Sequence, residues 1–410
     1  MEKGLFQAEA MVPGARKWED AISRAHKLYS KKDEIRTEFE RDYTRILHSL
    51  AYRRLKHKTQ VFFATTNDHV CTRIEHVNHV SSISRTIATF LGLNHELTDA
   101  ISLGHDLGHA PFGHKGEEVL KRIVSAGLPG RTFWHEKNSL RFVDSIEILE
   151  GPEGKYVNLD LTYAVRDGIV CHCGEVDDHK IIPREDKINL YDIEKASQVQ
   201  PYTWEGCVVK VSDKIAYLGR DIEDALNLNI LKASDVDQVD KMLSRGGFEG
   251  SLRANNTVLI HCFIVDLCKE SSIRGGICFS QNAAQLMKDV KDFCYEKIYR
   301  HKNIERYKLF VERIINGLFE VLMEMVDAVA HDQKNLCDEL RGFYPSLFKD
   351  FEFYLSVYSV GIPGVEEKYA EIEKVYNLKN VEDRIIACID FISGMTDQYA
   401  IKKFKETITF

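Results

Sequence analysis

Apolar side chains recur every three or four residues along most of the chain, which is the spacing of one face of an α-helix. In residues 76–93 this pattern runs from Val77 to Leu91, and Gly92 follows as a usual helix stop. Only eight prolines interrupt 410 residues. The pattern predicts an all-α, mainly helical protein with few or no strands.

A second helix is predicted directly after the first, over the stretch HELTDAISLGHDLGHA. Asn94 stands in the capping position before it, and the helix is expected to end near Ala110, ahead of Pro111. Gly113 then opens another helix. The sequence therefore predicts a helix end, a tight turn and a new helix within a few residues.

The character of the chain changes near residue 235. Histidines become rare beyond this point, and amphipathic helical patterns such as residues 304–330 dominate. We expect a catalytic domain over residues 1–235 and a helical region over residues 236–410 that packs on it and contributes to oligomerisation. The last ten residues are compatible with a short strand or a helix.

Charge and hydropathy limit the class of protein. A net charge of -8 disfavours general nucleic-acid binding, which depends on lysine and arginine. One local exception, YRRLKHKTQ (residues 52–60), is either a patch for a polyphosphate or nucleic acid or a solvated helix face. The chain lacks an apolar run of membrane-spanning length, and its first residues lack the order of a secretory signal. We expect a cytoplasmic protein without membrane contact.

The ten cysteines are scattered, which favours free thiols over a disulfide framework. Cys171, His172 and Cys173 form a CHC stretch that could bind zinc. A second cysteine pair at zinc-finger spacing is missing from the sequence. Buried or bystander cysteines are therefore the favoured interpretation.

Histidines cluster strongly: nine of the 16 lie between His57 and His135. On the predicted helix His105 and His109 are four residues apart and would share a face, with Asp106 beside them. Imidazole and carboxylate together suit a divalent Mg, Mn, Fe or Zn ion. The clustering indicates a metal site, and such a site needs ligands beyond His105 and Asp106.

Two other segments offer such ligands. His76 and His79 lie in the first turns of the helix that follows Arg73. Asp213 interrupts an otherwise apolar helix, where a carboxylate is costly to bury unless it is paired or bound to a metal. An ion pair with a lysine or arginine is the alternative for Asp213.

The order H…HD…D formed by His76, His105 with Asp106, and Asp213 resembles the HD phosphohydrolase superfamily. Over residues 30–230 the chain is similar to the deoxynucleoside triphosphate triphosphohydrolases of the dGTPase type. The stretches that carry this similarity are RRLKHKTQVF, TRIEHVNHV, GHDLGHAPFGHKGEE, LTYAVRDGIVCHCGE and SDKIAYLGRDIEDA. The resemblance implies an HD-domain helical bundle.

The resemblance also implies roles for individual residues. His76, His105, Asp106 and Asp213 would bind one divalent metal ion, while His114 and Glu117 would form a catalytic pair. His114 and Glu117 are three residues apart on a helix, so the carboxylate can orient the imidazole. The expected phosphate contacts are Arg73, His109, His135, Lys214 and Arg220. A surface histidine is the alternative for His135.

The helix of Asp213 carries Tyr217 and Asp221 at the same helical spacing, so the three side chains share a face. In the family this tyrosine and this second aspartate lie near the sugar, and Gln60 resembles a residue near the same hydroxyl. These contacts would favour deoxyribose. A core aromatic role is the alternative for Tyr217.

The implied reaction converts a dNTP and water to a deoxynucleoside and tripolyphosphate. His114 would act as acid or base, and the sequence leaves both open. By resemblance we also expect a homo-oligomer, a tetramer or hexamer, with an allosteric nucleotide. Two other functions remain open: an HD-type phosphodiesterase or nucleotidase on other nucleotides, and a nucleotide or weak single-stranded nucleic-acid sensor without turnover.

Overall fold

The computed structural model describes residues 3–26, 28, 33–62, 69–173, 180–196, 198–248 and 253–408. Over these residues the chain forms seventeen α-helices and two small two-stranded antiparallel sheets. The expectation of an all-α protein with few strands is confirmed. None of the described helices has the length and hydropathy needed to cross a membrane.

The helices are α1 (Trp18–Ala21), α2 (Glu38–His48), α3 (Leu50–Arg54), α4 (Arg73–Leu91), α5 (His95–Gly104), α6 (Gly113–Gly127), α7 (His135–Arg141), α8 (Tyr163–Cys171), α9 (Trp204–Asn227), α10 (Ala233–Arg245), α11 (Asn256–Glu270), α12 (Gln281–Cys294), α13 (Lys302–Ala330), α14 (Lys334–Phe343), α15 (Pro345–Tyr358), α16 (Val381–Ser393) and α17 (Asp397–Ile408). The strands are β1 (Ile148–Glu150), β2 (Tyr156–Asn158), β3 (Lys180–Ile181) and β4 (Ile277–Cys278). β1 pairs with β2 and β3 pairs with β4.

The chain divides into two compact units, each built from three separate segments. Unit 1 contains residues 1–47, 65–106 and 161–305, and unit 2 contains residues 48–64, 107–160 and 306–410. The chain therefore passes from one unit to the other five times. A domain boundary near residue 235 stays a prediction.

Helices α4, α5, α8 and α9 pack against one another in unit 1. α4 buries the predicted apolar stripe and ends at Gly92, whose φ of 86° is the left-handed stop expected there. α5 and α8 approach closely at two glycines. A Cβ on Gly104 would lie 2.6 Å from Cδ1 of Ile169, and one on Gly168 would lie 2.4 Å from Cδ1 of Ile101.

The side chain of Asn94 caps α5 as predicted, by accepting from the backbone N–H of Glu96. The predicted end of this helix was wrong, because α5 stops at Gly104 and not near Ala110. His105 and His109 therefore do not share a helix face. The backbone N–H of Gly108 donates to the hydroxyl of Ser139 at 3.0 Å, a partner 31 residues away, in place of a helical carbonyl.

In unit 2, α6 begins at Gly113 as predicted, directly after Phe112 in the left-handed conformation with a φ of 64°. Asp397 accepts from the backbone N–H of Phe112 at 2.9 Å, and the Phe112 ring is buried. The hydrogen bond and the burial of the ring hold a backbone conformation that a bulky residue rarely adopts. The end of the chain is helical, as α17.

Candidate active site

In unit 1 the structure brings together four residues, which we call the metal-candidate cluster: His76, His105, Asp106 and Asp213. His76 comes from the first turn of α4, His105 and Asp106 follow α5 directly, and Asp213 lies in the middle of α9. Nε2 of His76 lies 2.9 Å from Oδ1 of Asp213, and Nε2 of His105 lies 3.7 Å from Asp106 and 3.9 Å from Asp213.

Hydrogen bonding fixes the orientation of the His105 ring. Its Nδ1 lies 2.7 Å from the carbonyl oxygen of Ser102, and a carbonyl can only accept, so Nδ1 carries the hydrogen. Nε2 then presents a lone pair. This nitrogen is buried and has no hydrogen-bond partner among the described residues. Such a second bond commonly orients a metal-binding imidazole, so the cluster fits a divalent ion.

His76 and Asp213 shift each other's pKa in opposite directions. Burial raises the pKa of Asp213, but the hydrogen bond and charge of His76 outweigh burial and hold that pKa well below its usual range. Burial lowers the pKa of His76, and Asp213 outweighs it in the opposite direction, so the pKa of His76 is raised. The pKa of His105 is lowered, because burial dominates there. This lowered pKa favours the neutral imidazole of His105, and a neutral imidazole is the form that binds metals.

Arg73, a predicted phosphate contact, is buried and forms an ion pair with Asp106. Its Nε and Nη2 are also buried and have no hydrogen-bond partner among the described residues. A buried guanidinium with unused donors is costly on its own. It is well suited to an anion, such as a phosphate group.

The other predicted substrate contacts of unit 1 lie along α9. Lys214, Tyr217 and Arg220 are half-buried. Arg220 is already paired, with Nη1 3.1 Å from Glu223 and Nη2 3.3 Å from Nε2 of His79. Asp221 is buried and accepts a hydrogen bond from the hydroxyl of Tyr299. This partner of Asp221 could not be predicted from residue spacing, because Tyr299 lies 78 residues away.

Unit 2 contains a second group, the histidine cluster of unit 2, formed by His109, His114 and His135 with Glu117. The rings of His109 and His135 stack with centroids 4.3 Å apart, and the ring of His114 lies 5.4 Å from that of His109. His109 and His135 are buried, while the His114 side chain is 76% exposed. His135 is thus a buried member of the cluster and not a surface histidine.

Glu117 joins the members of this cluster. Its Oε2 lies 3.5 Å from Nδ1 of His114 and 3.1 Å from Nδ1 of His135, and its Oε1 accepts from the backbone N–H of His135 at 3.0 Å. Burial raises the pKa of Glu117, but His135 and His114 outweigh burial and lower the pKa well below its usual value. The sequence predicted the contact with His114 and missed the closer one with His135.

Only some of the basic side chains of residues 52–60 are exposed. Lys58 is buried and donates to the carbonyl oxygens of His109 and Ser393, and Arg54 forms an ion pair with Glu147. Lys58 therefore supports the turn after His109 and cannot face a polyanion. Arg53, Lys56 and His57 remain exposed.

Gln60, the predicted sugar contact of unit 2, is half-buried, and its Oε1 has no hydrogen-bond partner among the described residues. The sequence singled out His172 only as part of the CHC stretch, and the structure buries it beside His105 with ring centroids 4.7 Å apart. The last two residues of the stretch LTYAVRDGIVCHCGE lie outside the described residues.

Comparison with known proteins agrees with this architecture. Residues 73–218 match the HD domain model, and residues 277–341 match the model of a phosphohydrolase-associated domain. A protein of Caldanaerobacter subterraneus subsp. tengcongensis is 33% identical over 401 residues, which cover 98% of this chain and 93% of that protein. A protein of Clostridium tetani is 34% identical and one of Geobacter metallireducens is 32% identical; the matches cover 82% and 94% of this chain and 86% and 92% of those proteins.

All three relatives are named deoxyguanosinetriphosphate triphosphohydrolase-like protein. The identity extends along nearly the whole chain and includes both regions matched by the domain models. The chain is therefore a hydrolase of the HD-domain type and belongs to the family of the deoxyguanosinetriphosphate triphosphohydrolase-like proteins.

Proposed function

We propose that the chain hydrolyses deoxynucleoside triphosphates to deoxynucleoside and tripolyphosphate, with His76, His105, Asp106 and Asp213 holding one divalent ion. The observation that carries the proposal is the buried Nε2 lone pair of His105, which faces two carboxylates and has no hydrogen-bond partner among the described residues. Leaving such an acceptor unsatisfied costs about 1–3 kcal/mol, which ion binding would offset.

A divalent ion held there supplies charge that polarises a phosphate oxygen and lowers the pKa of water. Side chains of the protein are proposed to bind the phosphate groups. The unused donors of Arg73 support a role in binding phosphate oxygens as negative charge develops. Lys214, Arg220, His109 and His135 are proposed as further phosphate contacts.

His114 and Glu117 are proposed as the proton-transfer pair. The exposed imidazole of His114 can exchange protons with solvent, and the ionised Glu117 orients it through Nδ1. His114 then either protonates the leaving 5′-oxygen of the nucleoside or removes a proton from the attacking water. Tyr217, Asp221 and Gln60 are proposed to contact the sugar.

Several finer points belong to the proposal. The ion is Mn, Mg, Fe or Zn, since two histidines and two aspartates accept each of them. A homo-oligomer, an allosteric nucleotide, weak single-stranded nucleic-acid binding and a cytoplasmic location are proposed from the sequence and its resemblance. Family membership gives no support to the phosphodiesterase or the sensor without turnover.

The test is a product profile. Purified protein with Mn²⁺ or Mg²⁺ is incubated with each dNTP and NTP, singly and in pairs, and products are separated by HPLC. Tripolyphosphate and deoxynucleoside are expected, and acceleration by a second dNTP would support the allosteric site. Release of pyrophosphate or orthophosphate would contradict the proposed reaction. Asp106→Ala should abolish turnover, and His261→Gln, an exposed change on α11, should not.

A further inference from the structure

Unit 2 contains a cavity of about 490 Å³, a volume typical of small-molecule sites. Rings from α15, α16, α17 and the segment after α7 line this cavity, which we call the aromatic cavity; they include Phe142, Phe353, Tyr354, Tyr358, Phe391 and Tyr399. None of the described residues that line it belongs to the metal-candidate cluster or to the histidine cluster of unit 2. The aromatic cavity is therefore a separate feature of this unit.

The tyrosine hydroxyls on its wall are already used by the protein. The hydroxyl of Tyr358 donates to a backbone carbonyl oxygen, and that of Tyr399 donates to Oδ2 of Asp350, each at 2.6 Å. The hydroxyls of Tyr354 and Tyr376 bond to each other at 2.6 Å. These tyrosines can therefore offer ring carbons to the cavity, and such rings pack well against the face or edge of another aromatic molecule.

The charges around the cavity favour an uncharged ligand. The charged residues that line it are Glu147, Asp350, Asp390 and Arg54. Each of the three carboxylates is paired with a lysine or an arginine, so the wall is close to neutral. A triphosphate would bring several negative charges close to three carboxylates, which repel it.

Arg54 supplies one unused hydrogen-bond donor at this wall. Its guanidinium forms an ion pair with Glu147, while its Nε is buried and has no hydrogen-bond partner among the described residues. A buried N–H without an acceptor is costly. A ring nitrogen or a carbonyl oxygen of a heterocycle is an acceptor that would satisfy it.

We propose that the aromatic cavity binds an uncharged, flat aromatic heterocycle that carries a hydrogen-bond acceptor, of the size of a nucleobase or a nucleoside. The apolar rings would hold its faces and edges, and Nε of Arg54 would donate to its acceptor. The inference goes beyond the proposed function and does not depend on the metal site, because the metal-candidate cluster lies in unit 1.

One wall of the cavity also supports the histidine cluster of unit 2. Residues 394–396, between α16 and α17, line the cavity. The carbonyl oxygen just before them accepts from Lys58, which also donates to the carbonyl oxygen of His109. Just after them, Asp397 accepts from the backbone N–H of Phe112 at 2.9 Å. A ligand packed against this wall should therefore make the turn from His109 to Phe112 open less often.

The test uses the full-length chain and calorimetric titration with adenine, deoxyadenosine and indole. Adenine should bind saturably, and Phe353→Ser, which removes a ring that is 49% exposed, should weaken its binding about 5-fold or more. Phe343→Ser is the matched control, because Phe343 is 62% exposed and does not line the cavity. Tighter binding of deoxyadenosine than of adenine would identify a nucleoside as the ligand, and equal binding a free base.

Two further measurements test the contacts. Arg54→Lys keeps a positive charge beside Glu147 but lacks Nε, so it should weaken the binding of adenine and not that of indole, which offers no ring acceptor. Adenine should also slow amide exchange, measured by mass spectrometry, in a peptide that contains Phe112. Unchanged exchange in adenine-saturated protein would contradict the link to this turn.

A folded wild-type chain that binds neither adenine nor deoxyadenosine would overturn the inference, and so would binding that Phe353→Ser leaves unchanged. Light scattering covers another occupant: if Phe353→Ser alters the oligomeric state and not probe binding, a second copy of the chain covers the cavity and the inference is wrong. Turnover is assayed separately. A chain that binds adenine in the cavity and hydrolyses no dNTP would contradict the proposed function alone.

Discussion

Glu117 is the residue on which the histidine cluster of unit 2 depends, because it contacts both His114 and His135. In Glu117→Gln an uncharged amide replaces the carboxylate that orients both rings. We expect turnover to fall about 10²- to 10⁴-fold, the usual contribution of a positioned acid or base. The measurement is kcat for the best dNTP.

Glu118→Gln is the matched control, since Glu118 is the next residue on α6 and pairs with Lys115 at the surface. It should retain wild-type kcat. Mn²⁺ affinity should be unchanged in both variants, because neither residue belongs to the metal-candidate cluster. If Glu117→Gln keeps most of its activity, the proton-transfer role of this cluster is wrong.

Asp224 near the end of α9 makes stability depend on pH. Its Oδ2 accepts from the backbone N–H of Cys71 at 2.9 Å, and its buried Oδ1 has no hydrogen-bond partner among the described residues. Burial raises the pKa of Asp224 to about 6. A carboxyl with a raised folded pKa contributes stability that is full below about pH 4 and is lost as pH rises through 6.

Asp224→Asn removes this titration, because the amide is neutral at every pH. The free energy of unfolding of the variant should therefore increase relative to wild type, by about 2 kcal/mol between pH 4 and pH 7. Urea unfolding at several pH values measures the difference. Asp237→Asn, an exposed change on α10, is the control. A difference that stays constant across this range would contradict the prediction.

The order H…HD…D selected the metal-candidate cluster through its resemblance to the HD superfamily, and the structure places these four side chains in one region of unit 1. Residue types and spacing did not predict the orientation of His172 or the hydrogen-bond partner of Asp221. The orientation of His172 depends on a backbone carbonyl, and the partner of Asp221 lies on a distant segment. Neither contact leaves a pattern in a single sequence.

At the scale of elements, α6 depends on a close approach at Gly116. A Cβ there would lie 1.8 Å from the carbonyl oxygen of Pro111, which is backbone and cannot rotate away. Gly116→Ala should lower the free energy of unfolding by about 2 kcal/mol or more and also reduce turnover, since α6 carries His114 and Glu117.

Gly342→Ala on α14 is the matched change, because a Cβ there would meet nothing within 4 Å. It should raise the free energy of unfolding by about 0.4–1 kcal/mol, because alanine has less conformational freedom than glycine in the unfolded chain. Thermal and urea unfolding of both variants measure the contrast. Equal effects at the two positions would show that the approach to Pro111 is not as tight as described.

Local signals predicted the start of α5, the end of α4 and the start of α6, because caps and glycine stops act within a few residues. The end of α5 was mispredicted by about six residues. Gly108 has polar partners on Ser139 and Asn138, and these tertiary bonds replace the helical ones that the periodicity favours. Helix ends set by distant partners escape sequence reasoning.

At the scale of the molecule, the interleaved segments predict that residues 1–235 do not fold alone. This fragment lacks residues 236–305 of unit 1 and 306–410 of unit 2. It should show poor NMR dispersion and no cooperative thermal transition, in contrast to the full chain. A cooperatively folded fragment that binds Mn²⁺ would instead support the domain boundary that the sequence predicts near residue 235.

Because the segments of the two units alternate along the chain, neither unit can be complete early in synthesis. All four members of the metal-candidate cluster have been translated by residue 213, yet the last segment of unit 1, residues 161–305, is not complete until residue 305 has left the ribosome. Domains generally fold as units during synthesis, and long-range contacts form slowly. We therefore expect nascent chains to acquire the divalent ion only after residue 305 has been synthesised.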